Sequence, residues 1–364
     1  DTTNLLSKVN RGLYNIKLTD VTVDDLDEMT DSTVTSNLLF TDKAINSVEI
    51  KDSALNVQSN LSLLNSAGSR IKSIDLSYNL DGEELILVPL TVDANDFISR
   101  QKVLDKIIGG YMVDIENATA KQALTLASNA HITSIDIEDT ASNFSSYWNQ
   151  LIDINDRLDD VTIAGTRISV TADQYEAGLA LDDDLQAKIL SSGVTVQFAI
   201  KNATIEQALS LITDDTSSYI GTVEIKDTGA NITANFAELE ILLADTDRPV
   251  TLHQTDSRVP LEITYDDFVD YDTVLDAING QGYRLSVSAM SVDEALNMVA
   301  SIPNPAGFNY RNVSAMHIED TTTELNDNFN ALLGIGKKLA SIKLTNPTAN
   351  ILITHDQFLK GKSV

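Results

Sequence analysis

The sequence predicts an α/β fold: a repeat solenoid of stacked strand–helix rungs with a parallel sheet, leucine-rich-repeat-like in principle, in four units of about 90 residues. Three observations predict it. First, one stretch is written four times: Val48-Glu49-Ile50-Lys51-Asp52-Ser53, Ile135-Asp136-Ile137-Glu138-Asp139-Thr140, Val223-Glu224-Ile225-Lys226-Asp227-Thr228 and Met316-His317-Ile318-Glu319-Asp320-Thr321. The marking Asp falls at 52, 139, 227 and 320, in steps of 87, 88 and 93 residues, and recurrence of that regularity is an internal repeat. Second, short alternating strands interleave with helical patterns in every unit, which parallel strands joined by right-handed helical crossovers accommodate. Third, linkers are missing: the chain has 6 Pro, and Pro303-Asn304-Pro305 sits inside a unit. That weighs against the alternative, a string of four compact α/β domains. A rung of about 25–30 residues cannot bury its apolar face alone, so the rungs must stack.

Each unit opens with a short strand, at Tyr14–Leu18, Tyr111–Ile115, 194–198 and Tyr283–Val287, just after Gly12, Gly110, Gly193 or Gly282. Glycine suits the end of a preceding helix. A helix start follows. Thr119-x-x-Gln122, Thr204-x-x-Gln207 and Ser291-x-x-Glu294 are capping boxes, with Thr22-x-x-Asp25 a weaker relative. The signature strand comes next, its apolar residues alternating with Asp, Glu and Lys as one buried and one wet face require. Its closing Asp-Thr introduces a helix carrying Phe144, Tyr147, Trp148, Leu151 and Ile152 in the second unit. A third strand (71–76, 161–163, 250–252, 342–344) leads to a short one ending in Thr, where Thr171-x-x-Gln174, Thr264-x-x-Asp267 and Thr354-x-x-Gln357 cap a further helix. Thr91 opens the equivalent stretch in the first unit but has Ala94 in place of an acid or amide.

The unit boundaries follow: 1–13 the tail of a preceding repeat, then repeats at 14–110, 111–193, 194–282 and a truncated 283–364. Leu5-Leu6-Ser7-Lys8-Val9 matches Val103-Leu104-Asp105-Lys106-Ile107, and Thr354-His355-Asp356-Gln357-Phe358 opens a helix of the same phase. The chain thus starts and stops at nearly the same point of the repeat. Excision from a longer array is the preferred reading, which Asp1 in place of an initiator Met or signal peptide suits. The other is that successive molecules abut head to tail, each completing the other's rung.

Composition excludes several function classes. With 54 acidic against 25 basic residues the net charge is −29 and the pI about 4.2. That opposes nucleic-acid binding, which needs basic surface, and docking on anionic lipid. Without a single cysteine there are no disulfides, zinc–thiolate sites, iron–sulfur clusters or thiol nucleophiles. No apolar run approaches the ~18 residues of a membrane span, so no membrane insertion is expected. The acidic, cysteine-free, repetitive chain points to an extracellular or cell-surface location.

Candidate chemistry is sparse. Asp52, Asp139, Asp227 and Asp320 are the candidate metal ligands, a carboxylate ladder along one edge that would bind calcium. The plainer and favoured reading is that each caps the following helix or satisfies a turn. Asp24-Asp25, Asp182-Asp183-Asp184 and Asp266-Asp267 lack the alternating ligand spacing of an EF-hand loop and read as solvated surface. The four histidines, His131, His253, His317 and His355, fall at different phases. No Gly-x-Ser-x-Gly elbow, phosphate loop or dinucleotide fingerprint occurs, so no enzyme is expected. Trp148 with Tyr147 reads as core rather than as a sugar platform. The sequons at Asn60, Asn117, Asn143, Asn202, Asn231 and Asn312 read as a by-product of Asn and Thr in turns and caps.

The Asn-Ala-Thr of 117–119 and 202–204, Gln-Ala-Leu, Thr-Ser-Ile (133–135), Asp-Thr-Ala (139–141) and Thr-x-Asp-Gln together resemble tandem repeats of very large secreted bacterial surface proteins. Many of these carry hemolysin-type calcium-binding segments and leave Gram-negative cells by type I secretion. The resemblance spans essentially the whole chain. It implies an adhesin, biofilm-matrix or surface-layer component whose partners are its own copies, other cell-surface components, or glycans. The chain departs from the family in lacking the Gly-Gly-x-Gly-x-Asp calcium nonapeptide, so no calcium site carries over. The expected function is a non-enzymatic extended spacer or head-to-tail assembling subunit; the alternative is a glycan- or protein-binding module on one solenoid face.

Overall fold

A computed structural model describes residues 14–30, 45–76, 89–180, 185–191, 196–213, 218–279, 282–300, 312–346 and 348–362. Outside the described residues lie the 1–13 tail with Gly12, the Asp182–Asp184 cluster, Gly193 with 194–195, and Pro303-Asn304-Pro305.

The fold is α/β, and the described residues form sixteen strands in four parallel sheets of four. The first sheet orders β1 (Ile16–Val21), β2 (Ile45–Lys51), β3 (Ile71–Asp75) and β5 (Ile107–Ile108). The second orders β4 (Leu90–Asp93), β6 (Val113–Ala118), β7 (Ile132–Thr140) and β8 (Leu158–Ala164). The third runs β9 (Arg167–Thr171), β10 (Gln197–Ala203), β11 (Ile220–Asp227) and β12 (Val250–Gln254). The fourth runs β13 (Leu261–Thr264), β14 (Leu285–Met290), β15 (Val313–Asp320) and β16 (Leu339–Leu344). The chain divides into two compact units: Asp1–Thr166 with Ala177–Val196, holding the first two sheets, and Arg167–Glu176 with Gln197–Val364, holding the last two.

In all four sheets strand order rises along the chain, the first skipping β4 and the second β5. In the last three sheets the short strand before the leading strand pairs with it: Leu90 with Val113, Ile168 with Phe198, Leu261 with Leu285. These sheets therefore begin one strand ahead of the repeat boundaries drawn at 110/111, 193/194 and 282/283. The leading strands also start later than their sequence pattern suggests, at Ile16, Val113, Gln197 and Leu285. Tyr111 and Tyr283 are buried ahead of the strand rather than in it, Tyr111 stacking on His131 at 4.1 Å between centroids.

Burial alternates along the strands, as in β8 and β9. The inward residues, among them Ile50, Ile135, Ile137, Ile225 and Ile318, form the core, each worth roughly 1.5–3 kcal/mol of transfer free energy. The wet faces carry cross-strand pairs such as Lys17–Glu49 and Lys343–Glu319.

Each leading strand holds one non-glycine residue in the left-handed region at the same phase: Asp20, Asn117, Asn202 and Ala289, all with φ of 53–56°. The parallel register slips there in every sheet. The conformation turns the next apolar residue (Val21, Ala118, Ala203, Met290) into the core. Asn and Asp tolerate it better than other L-residues.

The seven capping boxes expected from the sequence form. The Thr119 hydroxyl accepts from Gln122 N–H at 3.2 Å while Gln122 Oε1 accepts from Thr119 N–H at 2.9 Å, and Thr22, Thr171, Thr204, Thr264, Ser291 and Thr354 do likewise. Thr91 is a correction. It lies inside β4, and Asp93, two residues on, caps the helix by accepting from Asn95 N–H at 2.8 Å.

After the signature strand, the helix breaks in three units and runs through in one. It splits into Ala54–Ser59 and Leu61–Ala67, Gly229–Ala234 and Phe236–Leu243, and Thr322–Asp327 and Phe329–Ile335. Asn60, Asn235 or Asn328 stands at each break, its amide donating to the carbonyl four residues back at 2.8–3.1 Å. Such back-bonding competes with the helix ladder. The second unit has Tyr147 at that phase, and the helix Ala141–Asp153 is continuous.

Candidate functional site

Each of the four signature aspartates stands within one residue of the end of its strand, β2, β7, β11 or β15, and the local sequence explains its geometry. The strand ends at the Asp, the following Ser or Thr caps the next helix, and the Asp side chain is left pointing back toward the helix before it. Asp139 Oδ2 accepts from the Ala120 N–H, the first residue of helix Ala120–Leu126, at 2.9 Å. Its Oδ1 accepts from Thr140 N–H at 2.7 Å and from the Asn143 amide at 2.9 Å. One carboxylate thus ties the start of the preceding helix to the start of the following one.

The same clamp recurs. Asp52 accepts from Val23 N–H (2.8 Å), Ser53 N–H (2.7 Å) and Asn56 Nδ2 (3.0 Å). Asp227 accepts from Ile205 N–H (3.1 Å), Thr228 N–H (2.8 Å) and Asn231 Nδ2 (2.6 Å). Asp320 accepts from Val292 N–H (2.9 Å) and Thr321 N–H (2.6 Å); Glu324 replaces the Asn there. Asp52, Asp139 and Asp227 are buried and Asp320 half-buried. The helix cap itself is the neighbouring hydroxyl: Ser53, Thr140, Thr228 and Thr321 each accept an N–H three residues on at 3.2 Å.

The four carboxylates therefore sit in four different sheets with separate sets of partners, and both oxygens of each are engaged by donors. Among the described residues no group of three or more His, Asp or Glu side chains is placed to hold a metal ion. Sequence reasoning missed the reach to the preceding helix, which spans 19 to 29 residues. The Asn was legible as Asp-[Ser/Thr]-x-x-Asn in three of four copies, with the amide one helical turn past the carboxylate.

The helix after the signature strand is tied down in turn. Asp256 Oδ1 accepts from Gly229 N–H at 2.7 Å, and Asn346 Oδ1 from Thr322 N–H at 2.7 Å. Gly229 permits the approach, since a Cβ there would stand 2.7 Å from Gln254 Nε2 and 2.8 Å from Leu261 Cδ2.

The remaining candidates are dispersed. His131 packs on Tyr111, His253 Nε2 lies 3.5 Å from Glu224, His317 Nδ1 2.7 Å from Ser341 Oγ and His355 Nδ1 4.0 Å from Asp356. Trp148 is fully buried, edge-on to Phe144 at 5.9 Å between centroids. On the wet face of β7, burial raises the Asp136 carboxyl above its usual range, and the charges of Asp159, Asp160 and Glu116 raise it further, against a lowering hydrogen bond from Asp160 N–H. Among the described residues no helix is long and apolar enough to cross a membrane. No protein-family model and no curated protein sequence matches the chain.

Proposed function

We propose that the chain is a non-enzymatic structural module of an extracellular bacterial surface protein, serving as an extended spacer or head-to-tail assembling subunit of an adhesin, biofilm matrix, filament or surface layer. The observation that carries this is the fourfold clamp: the most regular polar feature of the sequence is spent in every sheet on joining helix starts to strand ends. Four equivalent modules of that kind suit a protein that sets length and stiffness. In this reading the modules continue one another as a solenoid, and the charge of −29 keeps the array soluble until calcium or partner chains screen it. The resemblance to repeats of secreted surface proteins supports the location.

Small-angle X-ray scattering of the dilute chain, in millimolar calcium and in chelator, tests the spacer reading. A compact particle of this length has a radius of gyration of about 21 Å. A value well above that is expected in both conditions, and one near it would sink the spacer. Light scattering on the same samples tests the calcium arm, where growth to large species is the expected response.

A further inference from the structure

The aspartate clamp brings two helix starts together in each module, and in the third a cleft opens between them. Helix Ile205–Thr213 forms one wall. The other is the break between Gly229–Ala234 and Phe236–Leu243. The cleft holds about 390 Å³ and is lined by Ile205, Glu206, Leu209, Asp227, Asn231 and Asn235. Small-molecule sites run from about 300 to 1,000 Å³, so this one has room for a short organic chain.

The polar groups left open in the lining are acceptors. Asn231 gives its amide to Asp227 Oδ1 (2.6 Å) and Asn235 gives its amide to Asn231 O (2.8 Å), so each Oδ1 is without a donor among the described residues. The Glu206 carboxylate has none there either. Both oxygens of Asp227 are engaged, and the helix start is spent: Ile205 N–H goes to Asp227 Oδ2 and Gln207 N–H to the Thr204 hydroxyl. The pull of a helix start on anions is therefore already answered by Asp227. The lining also varies as a set. Asp24, Glu206 and Asp293 stand two residues past the first helix cap in three modules, and Asn60, Asn235 and Asn328 eight past the signature aspartate. The second module changes both, to Lys121 and Tyr147. Acid and asparagine are kept together, although the asparagine interrupts its helix.

We propose that this cleft binds a primary alkylammonium group. Such a group carries three N–H donors and no acceptor, the complement of Glu206, Asn231 Oδ1 and Asn235 Oδ1. Its methylene stem can lie along Ile205 and Leu209, as lysine stems do on apolar surface. The charge of Glu206, within a chain of net charge −29, draws a cation and turns away an anion. Calcium fits less well. It takes six to eight oxygens, and among the carboxylates of the lining only Glu206 is not already engaged by protein donors. The site goes beyond the spacer reading and does not depend on it.

The test titrates the full-length, nitrogen-15-labelled chain with Nα-acetyl-lysine N-methylamide, putrescine and glucosamine, and with glucose and calcium as comparisons. About 0.15 M salt holds the screening length near 8 Å. The amines should shift the Asn231 and Asn235 side-chain amide signals saturably. Glu206→Gln should weaken this about fivefold, the upper scale of an exposed charge pair. Glu262→Gln, which removes the same charge from β13, should leave it unchanged. Glu206→Lys with Asn235→Tyr gives the third module the residues that the second already carries, and should abolish binding. The tightest amine names the source: a partner's lysine, a free polyamine or an amino sugar. Three results overturn the proposal. One is no saturable shift below about 50 mM, a standard free energy near −1.8 kcal/mol. Another is equal weakening by Glu206→Gln and Glu262→Gln, which makes the attraction one of overall charge. The third is glucose or calcium moving the same signals at lower concentration than every amine.

Discussion

Replacing Asp139 with alanine removes the acceptor for three donors at once. The Ala120 N–H is buried and left without a partner, which costs about 1–3 kcal/mol, and the bond it loses was to a charged group. Thr140 N–H and the Asn143 amide are part-buried and recover some water, so each adds roughly 0.5–1 kcal/mol. The expected destabilisation is about 2–5 kcal/mol, or ~4–20 °C in the melting transition of the unit that contains it. Asp139→Asn keeps the shape and one oxygen but sets an NH2 against an N–H, and is expected to cost about 2 kcal/mol. Urea melts of the three proteins give the energies, and hydrogen exchange at the Ala120 amide gives the local readout. A cost below about 1 kcal/mol for alanine, with that amide still protected, would refute the clamp. Calcium titrations should give the same heat for wild type and Asp139→Asn. A binding isotherm lost in the variant would make Asp139 a ligand instead.

Ala289 occupies the left-handed position that Asn117 and Asn202 fill elsewhere, so Ala289→Asn should stabilise by about 0.5–1 kcal/mol and Asn117→Ala destabilise by as much, both read from denaturant midpoints. Asp136→Asn should stabilise at pH 7 by about 0.5 kcal/mol, the scale of a cross-strand like-charge pair. Because the folded carboxyl titrates above its usual 3.8, the native state is penalised when Asp136 is ionised and relieved when it is protonated. The variant's advantage should therefore vanish as pH falls below 3.8, and an advantage that persists there would exclude this cause. Gly178→Ala would bring a Cβ to 2.8 Å from Trp148 Cζ2, and should cost about 1–3 kcal/mol with a change in tryptophan fluorescence.

The features legible in the sequence were those written in local spacing. Capping boxes, strand alternation and the repeat itself depend on residues within a few positions of each other, and they hold at Thr119, Thr204, Ser291 and the rest. Strand pairing does not. The short strand ending at Thr171 follows β8 closely in the chain, yet it pairs forward with β10, and nothing in the local pattern distinguishes a strand that ends one sheet from one that begins the next. Thr91 shows a related limit: its hydroxyl lies two residues before the cap position, which Asp93 holds. The aspartate clamp was half legible. Asp139 and Asn143 lie one helical turn apart and advertise a contact, while the Ala120 N–H is a backbone group 19 residues away and has no sequence signal of its own.

The internal repeats act as a mutational series already made by the chain. Changing Asn to Tyr147 at one phase accompanies an unbroken thirteen-residue helix Ala141–Asp153, in place of two shorter pieces. Changing Asn to Glu324 accompanies loss of the third clamp bond at Asp320, while the first two persist. The Asp and the two backbone N–H groups it receives are thus the constant part, and the side-chain amide is an accessory. It follows that the carboxylates of this acidic chain are of two kinds. Those of the clamp have both oxygens committed to donors inside the fold, and a cation could take them only by displacing the helix starts they hold. Those of the wet faces, such as Asp136 beside Asp159, Asp160 and Glu116, repel one another in the folded state and gain from any counterion that comes close. Screening by divalent ions should then raise stability through the second kind alone, leaving the exchange rate of the Ala120 amide limited by the clamp.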